Sequence, residues 1–330
     1  MNCKKYILAF SSLLFIMISC SNSSGTKTPA ADGNAAENTV RPQIVFNADS
    51  AYSYVAAQCD FGERVPNTSA HRRCGDYLSS ELRRHGAKVT EQKMTLTTFD
   101  GTKIEARNIV GEYYPEKQRR ILLLAHWDCR PWADNDPDPA KRRQPVMGAN
   151  DGASGVGVLL EIARILSENE PEMGIDILFT DAEDWGDSGA GDDSSWALGT
   201  QYWTENPHRK GYQYPSFGIL LDMVGDRNAK FLKEYFSVQA AGNIVEKLWA
   251  TAASLGYDNY FIDTQGGAMT DDHVFLIRAG IPCVDIIDQR MDSDTGFCPQ
   301  WHTTSDTMRH IDRNTLEAVG QTVVTMLFGK

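Results

Sequence analysis

From residue 46 onward, runs of β-branched and aliphatic residues alternate with stretches whose apolar positions recur every three or four residues. The first pattern reads as strands and the second as amphipathic helices. Strands are predicted over residues 105–113, 121–127, 174–181, 217–224 and 283–287. Helices are predicted over residues 69–85, 153–167, 195–205, 243–255, 271–278 and 314–327. The run Ile121-Leu122-Leu123-Leu124-Ala125 is apolar at every position, as a central strand covered on both faces must be. The expected fold class is therefore α/β: a single domain with a central mixed, mostly parallel twisted sheet flanked by helices. No internal repeat is evident.

The beginning of the chain has a different pattern. Lys4 and Lys5 precede an apolar stretch over residues 7–18, too short to span a bilayer, and Ile18-Ser19 precedes Cys20. That is the layout of a lipoprotein-type signal. Residues 1–19 are expected to be the signal peptide and Cys20 the lipidation site. Residues 21–39 are rich in Ser, Asn, Ala and Gly and cannot bury enough surface to order themselves, so residues 20–45 are expected to form a flexible tether to a catalytic domain over 46–330. An exported bacterial lipoprotein, anchored in a membrane and facing the periplasm, is the expected localisation.

Composition narrows the partners. A formal net charge of −12 argues against a nucleic-acid groove, which needs a basic surface. After Cys20 there remain Cys59, Cys74, Cys129, Cys283 and Cys298. The odd number leaves at least one free thiol, no disulfide can be assigned, and the spacing matches no zinc-thiolate cluster. A monomer is expected.

Candidate chemistry lies at the ends of the predicted strands. Long polar loops follow them at residues 129–150, 185–195 and 288–300, and open α/β sheets bind ligands beyond the carboxyl ends of their strands. There stand His126-Trp127-Asp128, Asp151 within Gly148-Ala149-Asn150-Asp151-Gly152-Ala153-Ser154-Gly155, the acidic pair Glu183-Asp184, Asp222, Asp271-Asp272-His273 and Trp301-His302-Thr303. Each alone has an ordinary role, Asp151 as a helix cap or His126 as a core histidine. Together, imidazoles and carboxylates at successive strand ends point to zinc. Adjacent side chains on a strand face opposite ways, so Glu183 and Asp184 can share a site only if residues 181–185 leave strand geometry.

The ordered series HWD, GANDGASG, DAED, LLDMVGD, TDDHVFLIRAGIP and WHTTSDT resembles the zinc aminopeptidase clan and, within it, the glutaminyl-peptide cyclases, from about residue 51 to residue 327. The resemblance implies zinc ligands Asp151, Asp184 and His302, a general acid/base Glu183 with Asp222 and Asp271 as its neighbours, and a pocket wall at Trp301. Asp184 departs from the animal cyclases, which carry a Glu there, one methylene longer. His126 and Asp222 match positions that bind a second zinc in the aminopeptidases, with Asp151 bridging; one Zn2+ per chain is favoured and two are permitted. The implied reaction is cyclisation of N-terminal glutaminyl residues of peptides and proteins to pyroglutamate with release of ammonia. The alternatives are an aminopeptidase with one or two metals and a non-catalytic binding lipoprotein on the same fold. Cyclisation benefits from excluding water, and the site loops carry Trp127, Trp132, Trp185, Trp196 and Trp301, of which Trp301, Trp196 and Trp185 are the expected pocket walls. Trp249 and Trp203 suit core packing.

Other features read as structural. The acids of residues 134–138 and 187–193 lack the ligand spacing of a calcium loop. The glycines of residues 148–157 fit no phosphate loop and more plausibly bring the backbone at Asp151 to a metal. Arg64 is expected in an ion pair. Ser154 and Ser194 lack a nucleophile-elbow context.

Overall fold

The computed structural model describes residues 44–190 and 192–329; the predicted signal segment, Cys20 and nearly all of the tether lie outside them. Among the described residues eight strands form: β1 (Lys88–Thr97), β2 (Lys103–Tyr113), β3 (Arg120–His126), β4 (Gly174–Thr180), β5 (Phe217–Asp222), β6 (Phe231–Lys233), β7 (Phe261–Gln265) and β8 (Cys283–Ile287). Six of them build one mixed sheet in the order β1-β2-β4-β3-β5-β8, and β6 pairs with β7 in a separate ribbon. β4, β3, β5 and β8 run parallel, whereas β1 and β2 extend the sheet antiparallel.

The all-apolar run in β3 sits at the middle of the parallel strands for the reason its sequence suggests. Ile121, Leu123 and Ala125 enter the larger apolar cluster on one face, and Leu122 and Leu124 enter the smaller one on the other. The helices are α1 (Ala48–Cys59), α2 (Ser69–Arg84), α3 (Ala153–Glu168), α4 (Leu198–Glu205), α5 (Tyr235–Ser254), α6 (Asp272–Arg278) and α7 (Arg313–Phe328). The first cluster draws on α1, α2, α3, α5 and α7. The second takes Trp203 from α4 and Leu276 from α6, so the sheet is covered on both sides and its polar backbone groups are spent within the ladder.

The five predicted strands appear as β2, β3, β4, β5 and β8. β1 escaped the periodicity because it is an edge strand rich in Lys, Thr, Glu and Gln, with only Met94 fully buried. α1 was missed because its apolar and polar positions are weakly segregated; it is held by burying Ala51 and Val55 against α3 and α7. α4 begins at Leu198 rather than residue 195, since Ala197 adopts a left-handed conformation (φ 51°). α5 begins at Tyr235 rather than 243 and is kinked at Ala241. Among the described residues, Cys59, Cys74, Cys129, Cys283 and Cys298 are free thiols. Among the described residues, no helix is long and apolar enough to cross a membrane.

The start of α5 has a measurable electrostatic signature. Glu234 is fully buried and accepts from the N–H groups of Phe236 (3.0 Å) and Ser237 (2.7 Å), while its Oε2 lies 3.1 Å from His273 Nε2. Burial alone would raise its pKa, but the His273 hydrogen bond and charge and the two N–H donors outweigh it and hold the carboxyl at about 2 instead of 4.5. A depressed carboxylate contributes stability above its unfolded pKa and loses it as pH falls through the folded one. Glu234→Gln is therefore expected to cost roughly 3 kcal/mol at pH 7 and progressively less below pH 4. Urea unfolding of metal-free protein at pH 7 and pH 3 measures this, and an equal gap at both pH values rules the capping account out.

Candidate active site

The parallel strands deliver the chemistry at their carboxyl ends. His126 is the last residue of β3 and Asp222 the last of β5, while Glu183 and Asp184 follow β4. β3 lies between β4 and β5, so its exit is a crevice where connections diverge to either side, the usual ligand position in such sheets. β4 ends at Thr180 and Ala182 is left-handed (φ 55°), which takes the acidic pair out of strand geometry. Asp128 fixes the result: its Oδ1 accepts from Glu183 N–H (3.1 Å) and its Oδ2 from Asp184 N–H (3.2 Å). Asp181 stays behind, bound by His71 Nε2 at 2.9 Å and by Arg107 N–H at 2.6 Å. Met223 and His302 are also left-handed (φ 49° and 54°). A non-glycine residue there costs roughly 1–3 kcal/mol, so the surrounding structure imposes these angles.

Asp151 is presented by a loop that two glycines make possible. Gly148 (φ 64°) and Gly152 (φ 96°) both need positive φ, and a Cβ on Gly152 would lie 2.6 Å from the Asp128 carbonyl oxygen. Asp306 accepts from the N–H groups of Asn150 (2.8 Å) and Asp151 (3.0 Å). Arg64 does not form the expected ion pair. Its buried guanidinium donates to the carbonyls of Trp127 (3.1 Å), Met147 (2.8 Å) and Gly148 (2.7 Å), because this loop leaves carbonyls inside the protein that need donors.

Asp151, Asp184 and His302 come together: one donor atom of each lies within 4.8 Å of the others. His302 Nε2 is 3.2 Å from Asp184 Oδ1 and 3.7 Å from Asp151 Oδ2. The set fits a divalent cation on physical grounds. Burial and the neighbouring Asp151 raise the pKa of Asp184, a repulsion that a cation between the two carboxylates relieves. Two carboxylates and an imidazole nitrogen are zinc donors. His126, Asp151 and Asp222 form a second such group, with His126 Nε2 3.0 Å from Asp151 Oδ1 and 3.3 Å from Asp222 Oδ1.

Glu183 is buried beside this pair of groups. Burial raises its pKa well above the ordinary carboxylate range, His126 opposes this, and Asp271 and Asp184 add to it. Burial, partly offset by His126, pushes Asp222 up to about 6. Burial and the charges of Asp222 and Asp272 push Asp271 up strongly. Asp271 caps α6 through the Asp272 N–H (2.5 Å), leaving its other oxygen without a hydrogen-bond partner. Behind it lie Asp285 of β8, with both oxygens unpartnered, and His273. The roles of Asp128, Asp306 and Asp285 were not foreseen. Asp128 and Asp306 stand in the quoted segments HWD and WHTTSDT, and Asp285 is a lone acid within the apolar strand Cys283–Ile287.

Asp151, Glu183, Asp184, Asp222 and Asp271 line a cavity of about 570 Å³. Trp196 and Trp301 line it and both stack on His302, with ring centroids 6.2 and 3.8 Å away. Met269, Ile287 and Phe297 complete an apolar wall, and Asp187, Asp192 and Asp193 line an acidic one. Trp185 corrects the sequence reading. It turns away into a separate apolar cluster with Met94, Ile104, Ala106 and Ala182, edge-on to Trp132 at 5.9 Å, because the backbone leaving Asp184 carries the next side chain to the far side. Trp127 likewise packs inside, stacked on His71 at 4.2 Å.

A mixed sheet that presents a buried Asp-Asp-His group at its strand ends defines a class of zinc exopeptidase-like enzymes. The chain belongs to peptidase family M28, whose pattern it matches over residues 108–327. Among solved structures it is similar to a Zn-dependent exopeptidase from Parabacteroides distasonis (55% identity, 87% of this chain and 100% of that one, TM-score 0.85). It is also similar to a Bacteroides thetaiotaomicron glutaminyl cyclase (53% identity, 87% of this chain and 99% of that one, TM-score 0.84). It is 28% identical to aminopeptidase YwaD of Bacillus subtilis over 80% of this chain, and it spans only 53% of that protein's length.

The two tryptophan positions separate by experiment. Trp196→Ala is expected to raise KM with little loss of stability. Trp185→Ala is expected to cost roughly 3 kcal/mol of stability, as large-to-small core changes do, and to leave KM near its original value. Steady-state kinetics with urea unfolding on both variants decides it, and a KM effect confined to Trp185→Ala reverses the assignment.

Proposed function

We propose that the protein is a zinc-dependent glutaminyl-peptide cyclotransferase that converts N-terminal glutaminyl residues to pyroglutamate with release of ammonia. The observation that carries this reading is the buried Glu183, beside the Asp151-Asp184-His302 group in a cavity walled by Trp196, Phe297 and Trp301. The similarity to a glutaminyl cyclase along almost the whole of that chain supports it.

Asp151, Asp184 and His302 would hold the zinc, which supplies Lewis acidity for the side-chain amide of the substrate. Glu183, as carboxylate, accepts a proton from the attacking α-amine and returns it to the departing ammonia. Burial, with the charges of Asp271 and Asp184, outweighs His126 and raises the affinity of Glu183 for that proton, so the group that accepts can also donate. The aromatic wall limits water, which would compete with the α-amine as nucleophile. One zinc is favoured, and the acids of the second group are met by His126, 3.0 Å from Asp151 and 3.3 Å from Asp222. Burial would lower the pKa of His126, but Asp128, Asp151 and Asp222 overcome it and hold the imidazole well above its usual value. Residues 1–19 and Cys20 support a membrane-anchored, periplasm-facing placement on sequence grounds alone.

The test is to incubate the purified domain with a glutaminyl peptide and a leucyl peptide while counting bound zinc. Ammonia, a pyroglutamyl product and one zinc per chain are expected; free leucine with two zincs would sink the proposal. Glu183→Gln should keep the metal and lose roughly 100- to 10,000-fold in kcat. In the unaltered enzyme the proton acceptor must be ionised, so kcat/KM should fall as pH drops through the Glu183 pKa, and that limb should vanish in Glu183→Gln. Near-normal turnover of a metal-loaded variant would show that Glu183 carries no proton.

A further inference from the structure

We infer that Arg130 is the positioning residue of the zinc site, a single guanidinium that fixes both Asp184 and His302. It follows the HWD segment by two residues and is 1% exposed. On one side Nη1 donates to the Asp184 carbonyl (3.0 Å) and to its Oδ1 (3.3 Å). On the other, Nε and Nη2 grip Asp134 with two bonds, at 2.8 Å to Oδ1 and 2.6 Å to Oδ2. Asp134 Oδ1 in turn lies 3.4 Å from His302 Nδ1, leaving Nε2 of that ring toward Asp184 and Asp151. Asp134, one of the loop acids read from sequence as structural, thus stands between Arg130 and the His302 ring. Nη2 also donates to Ser188 Oγ (2.7 Å), which donates to Asp134 Oδ2 (2.9 Å) and lines the cavity.

The cation is enclosed as well as bonded. Trp132 and Trp196 lie against the guanidinium with ring centroids 5.2 and 5.0 Å from its central carbon, which excludes water and strengthens each charged hydrogen bond. Only a planar fork can serve the Asp184 backbone, the Asp184 carboxylate and a bidentate Asp134 at once; a lysine ammonium cannot. The arrangement also suits the short side chain of Asp184. Arg130 holds the backbone and the carboxylate of that residue together, so the position of the donor oxygen is set by the loop rather than by a flexible methylene.

This inference rests on zinc binding by Asp151, Asp184 and His302, and it is independent of which reaction the site performs. It is tested without turnover. Zinc affinity is measured by chelator competition, and the visible spectrum of the Co2+-loaded protein is recorded, for the unaltered chain and for Arg130→Met, Arg130→Lys, Asp134→Asn and Asp184→Ala, with folding of each metal-free protein checked by circular dichroism. Arg130→Met should weaken zinc by roughly 10- to 100-fold, the usual effect of removing a partner behind the ligands, and shift the cobalt spectrum. Asp134→Asn should do so to a smaller extent, Arg130→Lys should restore little, and the Arg130→Met/Asp134→Asn double variant should be no weaker than Arg130→Met. Unchanged zinc affinity and cobalt spectrum in folded Arg130→Met, with zinc lost in Asp184→Ala, overturn the inference. Zinc retained in Asp184→Ala overturns instead the ligand assignment beneath it. Should Arg130→Met not fold, Asp134→Asn decides, and an unchanged zinc affinity and spectrum there overturn the inference equally.

Discussion

Asp151, Glu183, Asp184, Asp222 and Asp271 share one cavity floor, and mutual repulsion among those carboxylates governs the molecule around them. Two like charges 4 Å apart repel by about 4 kcal/mol at an effective dielectric near 20, so five buried acids cannot all be ionised without positive charge nearby. The protein answers in three ways. It brings in cations, with His126 between Asp151 and Asp222 and Arg130 beside Asp184. It aims backbone N–H groups at the supporting acids Asp128 and Asp306. It also leaves protons on others, as the raised pKa values of Glu183 and Asp271 record. The first answer suits a metal site and the last suits proton transfer.

That electrostatic demand explains features that otherwise look like defects. Ala182, Met223 and His302 hold left-handed backbones next to, or at, functional positions, a strain that persists only because packing on both faces of the sheet overdetermines it. Arg64 occupies a place where an ion pair was expected and spends its donors on carbonyls, since the loop that carries Asp151 cannot close its own hydrogen bonds. The cavity inherits two characters, apolar where Met269, Ile287 and Phe297 face it and acidic where Asp187, Asp192 and Asp193 do.

Much of the frame was legible in the chain. The parallel strands announced themselves because complete burial demands uninterrupted apolar runs, and β3 is the clearest case. β1 and α1 did not, because an edge strand and a helix packed by small residues need no strong periodicity; their existence follows from neighbours. Trp185 shows the limit for the site. A tryptophan next to the acidic pair in a polar loop has the composition of a pocket wall, yet the direction of its side chain depends on the backbone angles of residues 182–186.

The sequence by itself determined which residue types stand at the strand ends, and therefore that imidazoles and carboxylates would meet there, because strand length and the crossover rule carry every carboxyl end of a parallel sheet to one edge. Only the tertiary structure decided how charge is shared among them. The partners that bear on it, Arg130 beside Asp184 and Asp134 beside His302, are far along the chain from the groups they serve. Their roles arise from distance and exclusion of water, which no local pattern encodes.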